Sequence, residues 1–252
     1  MATDDARPLP SYTDPPVIEA YLGVEFDVHP WLSPTNLFAA WEIWRESYPQ
    51  VSVQQPGPSF PNLGVGLIHL GPPPIRLWML DTSGNHLVQL QEDRLLLNWR
   101  RLTSDEGYPR FDSLLPEYLG LWTSLTSWLA QRTQPPPTCR VVEMGYVNSV
   151  PLGLGGMAEA LTWLAEAPPA STGQGSITFA IERPLPAGIG VTNIVAASLP
   201  DHTMQLTVTT RLPLAPGGHD LEETIKLAHS LSVWTFTDST RTSKHKEWGR
   251  ES

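Results

Sequence analysis

Residues 75–132 decide the fold of this chain. They read Ile75-Arg-Leu-Trp-Met-Leu80, Asp-Thr-Ser-Gly-Asn, His86-Leu-Val-Gln-Leu-Gln91, Glu-Asp, Arg94-Leu-Leu-Leu-Asn-Trp99 and then a long amphipathic segment after Ser113. The three short apolar runs are separated by residues typical of turns, with Gly84 available for a positive φ. After Ser113, apolar side chains recur every three or four residues as far as Leu129. The pattern predicts three strands joined by hairpin turns and followed by a helix.

A further strand is predicted before this stretch, at residues 17–28. Its apolar side chains alternate with charged residues and glycine, which is typical of a strand with one buried face. Ser33-Pro34 then indicates the start of a helix, with serine as the cap and proline in the first turn, and Tyr48-Pro49 ends it. Residues 1–14 are expected to form an irregular arm. Residues 50–74 are expected to form a loop, with an extra strand at 63–70 as the alternative.

The second half of the chain shows the same order of elements. A strand is predicted at residues 139–150 and a short helix at 157–165, and three strands follow at 176–183, 191–199 and 203–212. Asp220 and Glu223 form a capping-box pattern that starts a final helix at Leu221. That helix is expected to run to about residue 236, or onward to Trp248.

The order strand, helix, three strands, helix therefore occurs twice, which indicates an internal duplication. The predicted fold class is α+β, with two tandem repeats forming a curved antiparallel sheet that carries its helices on one face. The first repeat spans residues 15–134 and the second spans residues 138–249, with the join at the proline run 135–137.

Composition and charge exclude several classes of protein. The formal net charge is −10, which disfavours a general nucleic-acid binder because such proteins neutralise phosphates with lysine and arginine. The single cysteine, Cys139, cannot form an intrachain disulfide, which favours a reducing compartment. The acidic N-terminus does not resemble a signal peptide, and no apolar run reaches the ~18 residues of a membrane span. We therefore expect a cytoplasmic protein.

No motif for catalysis, metal binding or cofactor binding is found in the sequence. The seven histidines are scattered, and the nearest approach to a metal site, His219 with Asp220 and the glutamates after it, is explained by helix capping. Cys139 begins a predicted strand, where burial in the core is more common than nucleophilic activity. The glycines at 153–156 lack a phosphate-binding lysine. The sequence predicts no catalytic residue, no metal ligand and no cofactor.

Four polar residues lie within otherwise apolar elements and form the best candidate site. They are Asn98, Tyr146, Asn148 and His229. Burial would require a hydrogen-bond partner for each of them. Two alternatives stay open: the four side chains line a polar groove between the halves, or they form a paired structural network that joins the strands to the last helix.

The C-terminal segment offers a second candidate. Trp248 lies beside a basic group that includes Lys244 and Lys246, and exposed aromatic residues are enriched at protein interfaces. Two alternatives stay open: this segment binds the acidic surface of a partner protein, or it is a solvated tail without a role.

A series of landmarks resembles an uncharacterised bacterial family described as sporadically distributed. The landmarks are Pro15-Pro16-Val17 with Glu19, Tyr48-Pro49, Gln89, Asn98-Trp99-Arg100, Tyr108-Pro109, Tyr146, Asn148, Asp220, His229, Phe236-Thr237 and Trp248-Gly249. They extend over roughly residues 15–249. The resemblance implies the patchy distribution of mobile or defence-associated genes, and it implies neither an activity nor a set of catalytic residues.

Two functions follow from these patterns as hypotheses. The first is a non-enzymatic protein-interaction or regulatory component, such as an accessory or antitoxin-like partner in a bacterial phage-defence system. Its partner would be another protein, such as a neighbouring gene product, or a second copy of the chain. The alternative is a small-molecule-binding or enzymatic domain whose pocket lies between the sheet and the helices.

Overall fold

A computed structural model describes residues 8–56, 74–164, 175–214 and 221–251. These residues form nine strands and five helices in the order β1 (Val17–Phe26), α1 (Pro34–Trp41), β2 (Gln50–Gln54), β3 (Arg76–Leu80), β4 (His86–Gln91), β5 (Arg94–Arg100), α2 (Phe111–Ala130), β6 (Cys139–Pro151), α3 (Met157–Ala160), β7 (Ser176–Leu185), β8 (Gly188–Ser198), β9 (Thr203–Pro213), α4 (Leu221–Ser239) and α5 (Thr242–Glu247). The predicted α+β class is confirmed.

All nine strands belong to one open antiparallel sheet, in the order β2-β3-β4-β5-β1-β6-β9-β8-β7. The first strands of the two halves, β1 and β6, lie side by side at its centre. Four strands follow α1 whereas three follow α3, because β2 pairs with β3 at one edge of the sheet. The sequence pattern placed β2 in a loop because this short edge strand carries only Val51 and Val53 as apolar residues.

The helices α1, α2 and α4 pack on the same face of the sheet. Ala20, Leu22 and Val24 of β1 are fully buried on this face, and α1 covers part of it with Leu37. The sheet-facing side of α2 includes Tyr118, which is also fully buried. This apolar layer forms the main core, and burial of such side chains is the principal source of stability.

Among the described residues, the opposite face of the sheet carries buried polar pairs and no helix. Glu143 on β6 accepts a hydrogen bond from Nε of Arg211 on β9 at 2.9 Å, and Glu143 is only 4% exposed. The Tyr21 ring lies directly over Gly145 on the neighbouring strand, and the Tyr21 hydroxyl is 2.6 Å from Oγ1 of Thr209. Glycine is required at position 145 because a Cβ atom there would meet the tyrosine ring.

Several predicted boundaries differ from the structure. Helix α1 ends at Trp41 rather than near Tyr48, because the next turns use i to i+3 bonds, such as that from the Trp44 N–H to the Trp41 carbonyl. Helix α4 ends at Ser239 and does not continue to Trp248, because the Arg241 N–H donates to the Ala160 carbonyl. The alternative strand at 63–70, His219 and the Asp220 cap lie outside the described residues.

Candidate functional site

Two tyrosines and a histidine form a chain of hydrogen bonds between β6, α4 and the segment before α2. The Tyr108 hydroxyl is 3.1 Å from the Tyr146 hydroxyl, which is 2.8 Å from Nδ1 of His229. The imidazole also stacks on Phe111, with 3.9 Å between ring centroids and an interplanar angle of 7°. These contacts fix the orientation of the histidine ring.

The sequence brings these groups together through helix and strand periodicity. His229 falls four residues after Ile225 and three before Ser232, which places it on the sheet-facing side of α4. Tyr146 lies opposite Ala20 in the ladder between β6 and β1, so its side chain projects from the face that carries the helices. The central strands therefore present Tyr146 directly to α4.

Burial keeps Tyr108, Tyr146 and His229 neutral near pH 7. It lowers the pKa of His229 to about 4 and raises the pKa of Tyr108 to about 12. It raises the pKa of Tyr146 well above its ordinary value. A neutral imidazole carries one proton, so the hydrogen bonds that link His229 to the tyrosines can run in either of two directions. If Tyr146 donates to Nδ1, Nε2 is a donor; if Nδ1 donates to Tyr146, Nε2 is an acceptor.

Nε2 of His229 is the free end of this chain. It makes no hydrogen bond with any residue in the described part of the protein. His229 lines a cavity of about 470 Å³, a volume within the range typical of small-molecule sites. Its other lining residues come from the N-terminal segment, β1, β6, the start of α2, α4 and the C-terminal segment: Leu9, Pro10, Ser11, Tyr12, Pro15, Val17, Tyr108, Arg110, Phe111, Asp112, Tyr146, Asn148, Val233, Phe236 and Glu251.

A break in the regular strand pairing lies beside the cavity. The register between β1 and β6 shifts between Val17 and Glu19, so that Val17 pairs with Asn148. Irregularities of this kind redirect side chains at the edges of functional sites. Asn148 is 1% exposed, and its Nδ2 donates to the Leu206 carbonyl at 3.0 Å. Its amide nitrogen therefore holds neighbouring strands together while the residue lines the cavity.

Arg110 fastens the N-terminal segment over the cavity. Its guanidinium donates to the Tyr12 carbonyl at 2.8 Å and to the Thr13 carbonyl at 2.9 Å. Its backbone has φ 73° and ψ 155°, a conformation that non-glycine residues rarely adopt and that costs about 1–3 kcal/mol. The surrounding contacts maintain this conformation immediately before Phe111, the first residue of α2.

The N-terminal and C-terminal segments also bind each other beside the cavity. The Thr13 N–H donates to the Gly249 carbonyl at 3.0 Å, and the Glu251 N–H donates to the Ser11 carbonyl at 3.0 Å. The Ser11 hydroxyl donates to the Glu251 carboxylate at 2.7 Å. We call this pairing of Ser11 and Thr13 with Gly249 and Glu251 the clasp. Although the residues before β1 were expected to be irregular, Tyr12 is buried.

Asn98 does not join the other three members of the predicted polar groove. Its neighbour Trp99 pairs with Ala20 on the helix-bearing side, so Asn98 projects from the opposite face of the sheet. There it accepts from Gln89 Nε2 and donates to the Glu19 carboxylate, each at 2.7 Å. The prediction of a four-residue groove is thus wrong for Asn98, which belongs to a paired structural network.

The predicted partner contact is also corrected at its aromatic residue. Trp248 is only 6% exposed and packs against Tyr12 and Phe236, with ring centroids 6.1 and 5.2 Å away. Lys244 is largely covered and pairs with Glu247 at 2.8 Å. A buried tryptophan cannot contact a partner, and Lys246 is the exposed member of the predicted group.

The sequence patterns do not identify Tyr12, Tyr108, Arg110 or Phe111 as residues of the site. The available signal was the position of Tyr108 and Arg110 on either side of Pro109, directly before the longest predicted helix. Residues at such a junction occupy the end of an element, where binding groups commonly lie. Tyr12 gave no signal because it lies in a proline-rich segment without periodicity.

The groups at this site offer hydrogen bonding, apolar contact and the charges of Arg110, Asp112 and Glu251. Among the described residues, no group of three or more histidine, cysteine, aspartate or glutamate side chains is arranged to hold a metal ion. None of the described helices has the length and apolar character needed to cross a membrane. Cys139 lies outside the cavity lining, and burial raises the pKa of its thiol to about 11.

Comparison of the chain with models of protein families and with curated proteins finds no match.

Proposed function

We propose that this protein binds a small molecule in the cavity between α2 and α4. The observation that carries the proposal is the unpartnered Nε2 of His229 on the lining of a cavity of about 470 Å³. Binding sites combine mostly apolar walls with a few fixed polar groups, and this cavity has that composition. The stacked Phe111 ring and the Tyr146 hydroxyl hold the imidazole in place before any ligand arrives.

Binding is a better match to these groups than catalysis. A histidine with a pKa of about 4 is a weak base at neutral pH, and the neighbouring tyrosines stay protonated. No carboxylate is hydrogen-bonded to His229 within the described residues. We therefore assign the polar chain a recognition role, in which Nε2 donates to or accepts from the ligand.

The adjacency of β1 and β6 supports the internal duplication that we infer from the sequence. With α2 packed on β1 and β5, and α4 packed on β6 and β9, the halves meet along the central strand pair. Under this proposal the cavity lies at the junction of two related units. Ligand sites are often found at such junctions because neither unit alone covers them.

A regulatory role in bacterial defence stays a hypothesis that rests on the resemblance. One candidate contact of its interaction form, Trp248, is buried. A ligand-binding regulatory component of a cytoplasmic system is compatible with both the resemblance and the cavity. We therefore place ligand binding first, with contact to another protein as a consequence to be tested once a ligand is known.

A fragment screen with a matched pair of variants tests the proposal. Wild-type protein is screened by ligand-observed NMR, and hits are repeated with Tyr146→Phe and Tyr21→Phe. Each variant removes one hydrogen-bonded hydroxyl, but Tyr21 lies on the opposite face of the sheet. Hits at the cavity should weaken in Tyr146→Phe and persist in Tyr21→Phe. An absence of hits, or hits that respond equally to both variants, would contradict the proposed site.

A further inference from the structure

The lining of the cavity carries more negative than positive side chains, and this difference indicates the class of ligand. Arg110 is the cation on its lining, and its guanidinium already donates to the carbonyls of Tyr12 and Thr13. Two carboxylates, those of Asp112 and Glu251, lie on the same lining. An incoming anion would meet two negative groups and one guanidinium that is already engaged.

The two carboxylates differ in their own contacts. Glu251 accepts hydrogen bonds from the hydroxyls of Ser11 and Thr13, which lower the pKa of its carboxyl group and keep it ionised. Asp112 is exposed and makes no hydrogen bond or ion pair with a described residue. Its carboxylate is available to a ligand.

The polar groups of the inner wall do not offset this negative charge. His229, Tyr108 and Tyr146 are neutral near pH 7 and can exchange hydrogen bonds with a ligand, but they cannot balance an anion. Apart from Ser11 and Asn148, the rest of the wall is apolar and partly aromatic, with Phe111 and Phe236 among its rings. Flat aromatic ligands pack well against such rings.

We propose that the cavity takes an aromatic amine, with its ring among the apolar residues and its ammonium group near Asp112 and Glu251. This inference rests on the proposed binding function and names its ligand class. Carboxylates and phosphate esters of similar size are disfavoured by the same two side chains. Asp112 is the specificity-determining residue, because its carboxylate has no hydrogen-bond or ion-pair partner among the residues that the structure describes.

Three compounds with one ring system and different charges test the inference. Tryptamine is cationic, indole is neutral and indole-3-acetate is anionic near pH 7, and each is titrated into the full chain by isothermal titration calorimetry. Tryptamine should bind more tightly than indole by about two- to fivefold, the effect of a single exposed ion pair. Indole-3-acetate should bind more weakly than indole.

The variant Asp112→Asn identifies the group responsible. It should bring tryptamine close to the affinity of indole and leave indole itself unchanged, whereas the control Asp105→Asn, an exposed aspartate outside the lining, should change neither. Equal or tighter binding of indole-3-acetate, with loss in Tyr146→Phe, would overturn the charge inference and leave the binding function intact. If none of the three compounds binds, the aromatic-amine inference fails, and the fragment screen decides the binding function separately.

Discussion

Replacement of His229 should flatten the dependence of stability on pH. Burial holds the pKa of His229 at about 4, against an ordinary value of 6.5 in the unfolded chain. Between these two values the unfolded chain binds a proton at this residue and the folded chain does not. The free energy of unfolding therefore falls as the pH drops from about 6.5 to about 4, and this contribution is constant below that range.

The difference between the two pKa values corresponds to roughly 3 kcal/mol, and the residual exposure of the ring reduces our expectation to about 2–3 kcal/mol. We choose His229→Asn because asparagine does not titrate and places a hydrogen-bonding atom near the position of Nδ1. Urea denaturation, followed by tryptophan fluorescence, is measured at several pH values from 7.5 to 4. Across this range the wild type should lose about 2–3 kcal/mol more than the variant.

Other histidines also respond to pH, and the comparison removes their effects. Burial lowers the pKa of His245, whereas the hydrogen bond with the Glu117 carboxylate raises the pKa of His86. Both are present in the wild type and the variant, so their contributions cancel. His202→Asn, at the exposed turn before β9, controls for the removal of an imidazole. Parallel pH profiles for the wild type and His229→Asn would refute the neutral, buried histidine on which the site depends.

Three further predictions concern residues outside the cavity. Gly145→Ala should destabilise the protein by about 1–3 kcal/mol in chemical denaturation, because its Cβ would displace the Tyr21 ring. Gly120→Ala has open space around it in α2 and should instead stabilise the protein by about 0.5–1 kcal/mol. Equal effects of the two substitutions would contradict this packing. The raised pKa of Cys139 should make its thiol react with iodoacetamide at neutral pH much more slowly in the folded protein than in urea, and equal rates would show that the thiol is accessible. Glu143→Leu should cost about 3–5 kcal/mol in the same denaturation assay because it removes the carboxylate to which Arg211 Nε donates in a largely buried site, and a loss below 1 kcal/mol would mean that water reaches the pair.

The sequence predicted the elements better than their spatial relations. Period-two alternation correctly located β1, β6 and the strands of the second half, because each has one face in the core. The short edge strand β2 was missed because most of its residues are exposed and carry no such pattern. The spacing of apolar residues indicates which face of an element is buried, so it does not identify an element that is mostly exposed.

The site was predicted in part for the same reason. Tyr146 and Asn148 lie two residues apart on one strand, so the sequence alone places them on the same face of it. Asn98 lies on another strand. Whether its side chain projects from the same face of the sheet as that of Tyr146 depends on the register between strands, which no local pattern gives. The burial of Trp248 likewise depends on its packing with Tyr12, more than 200 residues away in the sequence.

The clasp means that the cavity is built from two segments that the ribosome makes far apart in time. Ser11 and Glu251 lie 240 positions apart and both line it. During translation, the central strands and α2 can begin to pack while the outer wall is still missing. A nascent chain therefore acquires the complete cavity only after residue 251 has emerged. Ligand binding would then report that the chain has been made as far as residue 251, and protein cut within the C-terminal segment would lack it.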